Sequence, residues 1–235
     1  MKRLIIASTS TLHGGSYLDY LLPELELLFA GADDILFIPY ARPGGIDHDT
    51  YTEKAAQAFS GIGKRVYGLH SYPDPLEAIR TAKAIFTGGG NTFVLVKELH
   101  EKGLMTPLRE VLLDGTPYLG TSAGSNITGP TMQTTNDMPI AYPPDFRTLG
   151  ILPFNLNPHY LDPDPGSTHM GETRETRIRE FHAFNETPVL GLREGSWIAV
   201  MGDRLTLEGD LTARLFRKGA DAVELASGYD LTELS

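Results

Sequence analysis

From the N-terminus to Gly120, short apolar runs alternate with amphipathic segments. Residues 4–7 are apolar and give way to Ser8-Thr9-Ser10 and then Gly14-Gly15, which predicts a buried strand followed by a loop. Ser16 is placed to cap a helix running to Phe29, with Leu18, Leu21, Leu22, Leu25 and Leu28 on one face. Residues 35–39 predict a second strand. Residues 48–60 predict a helix with Tyr51, Ala55 and Phe59 at four-residue spacing, and 65–69 a third strand. Asp74 precedes a short helix over 75–83 whose first position is proline. The fourth strand, 84–87, ends in Gly88-Gly89-Gly90-Asn91. Helices over 92–101 and 107–113 follow, and 117–120 is the fifth strand. Strands alternating with helices in this way argue for parallel pairing with helices on both faces. The ligand crevice of such a sheet lies beyond the carboxyl ends of its strands, where both the triglycine and the segment after Gly120 fall.

Beyond Thr128 the periodicity breaks. Residues 128–145 are polar and proline-containing, a long loop of the kind that often carries function. Residues 148–157 predict another strand ending at Asn157-Pro158-His159, and Asp162-Pro163-Asp164-Pro165-Gly166 a turn. A charged helix over 172–183 follows, then short strands over 189–192, 197–201, 204–207, 213–217 and 222–225. The expectation is a single α/β domain over 1–235. Its central sheet is mostly parallel and flanked by helices, with short β-hairpins in the C-terminal third.

Composition narrows the chemistry. With 235 residues, 41% of them hydrophobic, the chain can bury a large core. Twenty basic against thirty acidic residues give a net charge of -10 with no strongly basic run, which argues against nucleic acid as a partner. No apolar stretch approaches membrane-spanning length. There is no cysteine, which excludes disulfides, thiolate catalysis and cysteine-ligated metals. Neither H-E-x-x-H nor an EF-hand loop is present. Asp162 and Asp164 near His159 loosely suggest a metal site, but their alternation with prolines reads more simply as a turn. We expect no metal and no cofactor.

The segment Gly120-Thr121-Ser122-Ala123-Gly124 matches G-x-S-x-G, which in a strand-to-helix turn exposes a serine hydroxyl above the sheet. Short motifs also occur in ordinary loops, so the serine needs partners. It needs a base. Of the histidines, His13, His48, His70, His100 and His182 lack chemical context and read as surface residues. His169 lies in a flexible segment where it would be a mobile site residue. His159 ends an apolar strand and faces the same crevice, either as a base or as a turn histidine bonded to backbone. The base needs an orienting acid. Glu194, after the strand 189–192, is either that acid or a solvated turn residue. The chain order Ser122, His159, Glu194 departs from the usual α/β-hydrolase order, in which the acid precedes the histidine. Backbone N–H groups of Ala123 and the triglycine are candidate oxyanion donors. The triglycine lacks the Walker lysine and the G-x-G-x-x-G spacing of nucleotide loops.

Five blocks together carry a resemblance. They are Gly88-Gly89-Gly90-Asn91-Thr92-Phe93, Gly120 to Asn126, Thr134-Thr135-Asn136-Asp137-Met138-Pro139-Ile140, Asn157-Pro158-His159 and Gly171-Glu172-Thr173-Arg174-Glu175. In order and spacing, over nearly the whole chain, they resemble the peptidase E (α-aspartyl dipeptidase) family of serine peptidases. The resemblance implies a class I glutamine amidotransferase-like fold, with serine at the nucleophile elbow. It also implies a cytoplasmic enzyme cleaving Asp-X dipeptides, with Ser122 as nucleophile, His159 as base, Glu194 as acid, and Gly90 and Ala123 as oxyanion donors. Asp137 is the candidate partner of the substrate amino group. Arg174 and Arg177 either meet the aspartyl side chain or pair with Glu175 and neighbouring acids on a solvated helix face. Gln133 stands where the family often has a basic residue, which bears on the strictness of the aspartyl preference. The expected partner is a small peptide substrate, with a homodimer as an option. A cyanophycinase-like β-aspartyl peptidase and a non-catalytic amidotransferase-like binding protein remain alternatives.

Overall fold

In the computed structural model, which describes residues 1–163, 166, 168 and 171–234, the apolar runs become eleven strands. These are β1 (Arg3–Ala7), β2 (Asp34–Ile38), β3 (Arg65–Gly68), β4 (Ile85–Thr87), β5 (Tyr118–Thr121), β6 (Asn155–Pro158), β7 (Val189–Leu192), β8 (Ser196–Met201), β9 (Arg204–Gly209), β10 (Ala213–Phe216) and β11 (Val223–Leu225). The helices are α1 (Leu22–Leu28), α2 (His48–Ser60), α3 (Pro75–Thr81), α4 (Thr92–Glu101), α5 (Met105–Asp114), α6 (Ala123–Asn126) and α7 (Arg174–Phe184).

Seven strands form one sheet in the order β3-β2-β4-β5-β1-β8-β9. Its first five are parallel, and the antiparallel β8–β9 hairpin extends it beside β1. Alternation along β1 explains the layering. Leu4 and Ile6 enter the apolar cluster covered by α3, α4 and α5, while Ile5 and Ala7 enter the opposite cluster under α1 and α2. Full burial of one such side chain contributes about 1.5–3 kcal/mol. Covering on both faces therefore holds a strand as short as β4, whose residues are all buried.

A second, four-stranded sheet runs β11-β10-β7-β6. Within it β6 and β7 are parallel, with Pro158 opposite Leu192. Its existence was not legible from the chain: the predicted strand over 189–192 forms, and it pairs parallel to β6 and antiparallel to β10.

Other expectations need correction. Ser16 does not cap a helix to Phe29. Leu18 takes a left-handed φ of 63°, a 3₁₀ turn follows at Asp19–Leu21, and α1 starts only at Leu22, with Pro23 in its first turn. The predicted strand over 148–157 is strand only from Asn155. Before it Gly150 adopts φ 55°, and the N–H groups of Thr148, Leu149, Gly150 and Ile151 bond to carbonyls in residues 127–130. His182 is buried rather than on the surface, its Nε2 hydrogen-bonded to Thr187 O at 3.0 Å. Among the described residues no helix is long and apolar enough to cross a membrane.

Candidate active site

The two sheets bring separate strand ends together. In the central sheet Thr87 of β4 lies opposite Gly120, and Ala7 of β1 opposite Thr121. Ser122 therefore emerges between Gly88–Gly90 and Ser8. Its backbone, at φ 53° and ψ -109°, lies outside the regions that ordinary residues favour, a conformation that costs about 1–3 kcal/mol. The turn is held by hydrogen bonds. Ser122 N–H donates to Ala7 O, and Ser122 O accepts from the N–H groups of Ser125 and Asn126. Ser125 Oγ donates to Ala7 O, and Asn126 Nδ2 to Leu156 O.

The flanking glycines are dictated by close approach. A Cβ on Gly124 would lie 2.1 Å from Thr87 O, and one on Gly120 would lie 2.5 Å from Gly124 O. Both contacts are with backbone, which has no rotamer to move. Gly124→Ala is expected to destabilise the protein by about 1–3 kcal/mol or more, read as a lowered urea midpoint at unchanged m-value.

His159 follows β6, and Glu194 lies two residues beyond β7. Because these strands are parallel and in register, the two side chains meet. His159 Nδ1 lies 2.6 Å from Glu194 Oε1, and His159 Nε2 lies 2.9 Å from Ser122 Oγ. With the carboxylate accepting from Nδ1–H, Nε2 is left to accept from the serine hydroxyl.

Several groups that the sequence did not single out position these three. His159 has a left-handed φ of 55°. Ser8 is wholly buried, donates to Leu192 O at 2.7 Å and accepts from His159 N–H at 2.9 Å, and so ties the ends of β6 and β7 together. Asn136 Nδ2 donates to Pro158 O at 2.7 Å. Arg193 forks onto Asp162 and also bonds Glu224 and Thr212, bracing the segments that carry His159 and Glu194. These bonds raise the Arg193 pKa and lower that of Glu224. Asp162 is thus committed to an arginine, while Asp164 and His169 lie outside the described residues. The only sequence signal for Ser8 and Asn136 was their place, after a strand end and inside the Thr134–Ile140 block.

The triglycine packs tightly. A Cβ on Gly88 would lie 2.4 Å from the Tyr51 hydroxyl, one on Gly89 3.0 Å from Ser122 Cβ, and one on Gly90 2.2 Å from Ala41 O. A side chain at Gly89 would thus press on the serine, and Gly90 follows it at φ 147°. Ala123 begins α6 directly after Ser122.

Asp137 Oδ2 accepts from Thr92 N at 2.7 Å, Thr92 Oγ1 at 2.7 Å and Thr135 Oγ1 at 3.0 Å, at the N-terminus of α4. There the helix dipole favours a carboxylate. Asp137 thus anchors its own loop, and Oδ1 makes none of these three bonds.

Arg174 begins α7, capped by Thr173, whose Oγ1 accepts from Thr176 N. Of the two readings for Arg174, the pair with Glu175 does not form: Glu175 binds Arg179 at 2.7 Å and Arg214 at 3.1 Å. Arg174 is instead half-buried. Burial lowers its pKa, the neighbouring Arg177 adds to that, and Asp137 opposes it. A guanidinium remains charged through such a shift, so Arg174 is a partly desolvated cation. Arg177 pairs weakly with Glu172 at 3.7 Å. It shares the wall of an open cavity of about 360 Å³ with Gln133, Phe93, Met132, Phe146 and Phe181.

The sequence and fold match known proteins. The model of the family described as Peptidase family S51 matches residues 4–208. A protein of Streptomyces coelicolor named Peptidase E is 51% identical over 231 residues, covering 98% of this chain and 94% of that protein. A Drosophila melanogaster protein named Probable alpha-aspartyl dipeptidase is 49% identical over 236 residues, covering 99% and 97%. The crystal structure of a peptidase from an acI-B1 Actinobacterium has the same fold, with a TM-score of 0.72 at 17% identity over 98% of this chain and 96% of that one.

Proposed function

This chain belongs to peptidase family S51, and from that membership we propose that it is a serine dipeptidase releasing the N-terminal aspartate of Asp-X dipeptides. The observation that carries the reading is the continuous hydrogen-bonded chain from Glu194 through His159 to Ser122, at 2.6 and 2.9 Å. Those lengths are within the range for proton transfer between a base and a nucleophile.

His159 Nε2 takes the Ser122 proton as Oγ attacks the carbonyl of the peptide bond. The resulting oxyanion is held by the N–H groups of Ala123 and Gly90. His159 then gives the proton to the leaving amine, and the C–N bond breaks. Water, activated by the same histidine, cleaves the acyl-enzyme. Glu194 keeps Nδ1 protonated and stabilises the imidazolium. The substrate amino group meets Asp137 through Oδ1. The aspartyl carboxylate meets Arg174, a cation already partly stripped of water, with Arg177 and Gln133 nearby. A charged hydrogen bond of this kind contributes about 1.5–3 kcal/mol.

The test is hydrolysis of a panel of Asp-X, Glu-X, Asn-X and β-Asp-X dipeptides, with Arg174→Met beside the wild type. Asp-X turnover is expected to dominate. Arg174→Met is expected to raise KM for Asp-X by about 10- to 100-fold, from the energy of a charged hydrogen bond, and to change Asn-X far less. Absence of turnover of every dipeptide by folded wild-type protein defeats the peptidase reading. Preferential cleavage of β-Asp-X reassigns it to the β-aspartyl activity.

A further inference from the structure

Tyr51 is a wholly buried residue of α2 whose single polar atom is spent at the triglycine. Its hydroxyl donates to Gly89 O at 3.1 Å. Because Gly89 O can only accept, the Tyr51 proton is committed to it. The longer 3.5 Å contact with Tyr17 therefore has Tyr17 as donor, giving the chain Tyr17 O–H to Tyr51 O–H to Gly89 C=O. Burial, with the neighbouring Tyr51, pushes the Tyr17 pKa well up and keeps that proton in place. The Arg42 guanidinium lies 4.7 Å from the centre of the Tyr51 ring, where a cation draws electron density from the ring and makes its hydroxyl a stronger donor.

The peptide between Gly89 and Gly90 is trans, so its N–H points opposite to its C=O. A bond that holds Gly89 O therefore also fixes the direction of the Gly90 N–H, away from Tyr51. The absence of side chains on Gly88 and Gly89 is what allows the fit, Gly88 against the Tyr51 hydroxyl and Gly89 against Ser122. Hydrogen bonding at the carbonyl also polarises the amide and strengthens its N–H as a donor.

We propose that Tyr51 is a positioning residue for the oxyanion site: its hydroxyl orients and polarises the Gly89–Gly90 peptide so that the Gly90 N–H is preset for the negative oxygen formed on attack by Ser122. This rests on the serine dipeptidase reading above. A tyrosine serving only as core filler would need its ring alone. That ring packs edge-on against Phe37 at 4.9 Å, a contact that phenylalanine retains.

The experiment compares wild type, Tyr51→Phe and Tyr17→Phe in three measurements. The first is kcat and KM for an Asp-X dipeptide. The second is affinity for the α-aldehyde of aspartate. Ser122 Oγ bonds to its carbonyl carbon, the C=O π bond breaks, the oxygen becomes the oxyanion and His159 takes the serine proton. The third is affinity for the corresponding amino alcohol, which has the same amine and carboxylate but no carbonyl. Tyr51→Phe is expected to lower kcat by about tenfold to a hundredfold, less than the ~10²–10³ for deleting an oxyanion donor outright. KM should stay within about twofold, aldehyde affinity should fall by the same factor as kcat/KM, and the amino alcohol should bind as before. Tyr17→Phe should show the same pattern at about two- to fivefold, as expected for the more distant link of the chain. The proposal is overturned if Tyr51→Phe keeps kcat and aldehyde affinity, or if it loses aldehyde and amino alcohol equally. Should Tyr51→Phe fail to fold, unchanged kinetics in Tyr17→Phe overturn it. A wild type that binds the aldehyde no more tightly than the amino alcohol overturns it as well. If the wild type turns over no Asp-X dipeptide, the dipeptidase reading fails first and this inference with it.

Discussion

Ser122→Ala is expected to lower kcat/KM for an Asp-X dipeptide by about 10⁴- to 10⁶-fold, the loss typical of deleting the nucleophile of a serine enzyme. The substitution removes the Oγ that His159 Nε2 contacts at 2.9 Å and leaves the turn's backbone bonds to Ala7, Ser125 and Asn126 in place. The fold should therefore persist, with a denaturant midpoint close to that of the wild type. His159→Ala should cost a comparable factor. The double variant should be scarcely worse than either single one, because nucleophile and base act as a unit. Steady-state assay of the four proteins checks this. Near-additive losses, or more than about 1% residual kcat/KM in Ser122→Ala, would show that Ser122 is not the nucleophile.

Glu194→Gln is expected to lower kcat by about 10³- to 10⁴-fold, the scale seen when the acid of a serine triad is made an amide. A glutamine can turn its NH₂ toward Nδ1, which stabilises the tautomer carrying its proton on Nε2. That proton then faces Ser122, and the base is lost although the 2.6 Å spacing is kept. Glu194→Asp should be milder in chemistry but shorter in reach. The bracing around the acid, with Arg193 on Asp162 and Glu224, does not involve the Glu194 side chain, so stability should change little. Equal activity of Glu194→Gln and wild type would reduce Glu194 to a solvated turn residue.

The parts of the fold that the sequence predicted best are those with local causes. Helix α2 appears with its predicted bounds because Asp47 caps it and Tyr51, Ala55 and Phe59 bury one face. β1, β2, β4 and β5 appear because each is an apolar run buried on both faces, whereas β3 is a largely exposed edge strand held by its parallel pairing with β2. The failures have local causes too. Pro23 and the left-handed Leu18 delay α1, and Gly150 with its neighbours' backbone bonds diverts the 148–154 stretch into a loop. Among the candidate site residues, Arg174 was ambiguous because the nearby acids Glu172 and Glu175 offered it a surface ion pair. Only the folded chain shows Glu175 taken by Arg179 and Arg214.

Taken alone, the amino-acid sequence determined the serine turn. Gly120 and Gly124 are required by contacts within that turn or with the adjacent strand, and a G-x-S-x-G segment after an apolar run encodes them locally. It also supplied His159 and Glu194 at two strand ends. What it did not determine was that those ends meet. That depends on the second sheet, where β6 and β7 pair in parallel register and Ser8, just past the end of β1 in the other sheet, clamps Leu192 O to His159 N–H. Pairing between strands so far apart in the chain is decided by the summed burial of both sheets, and no short window of sequence carries that information. The same holds for Tyr51, which reads as an ordinary core residue of α2 until the fold sets its hydroxyl against Gly89.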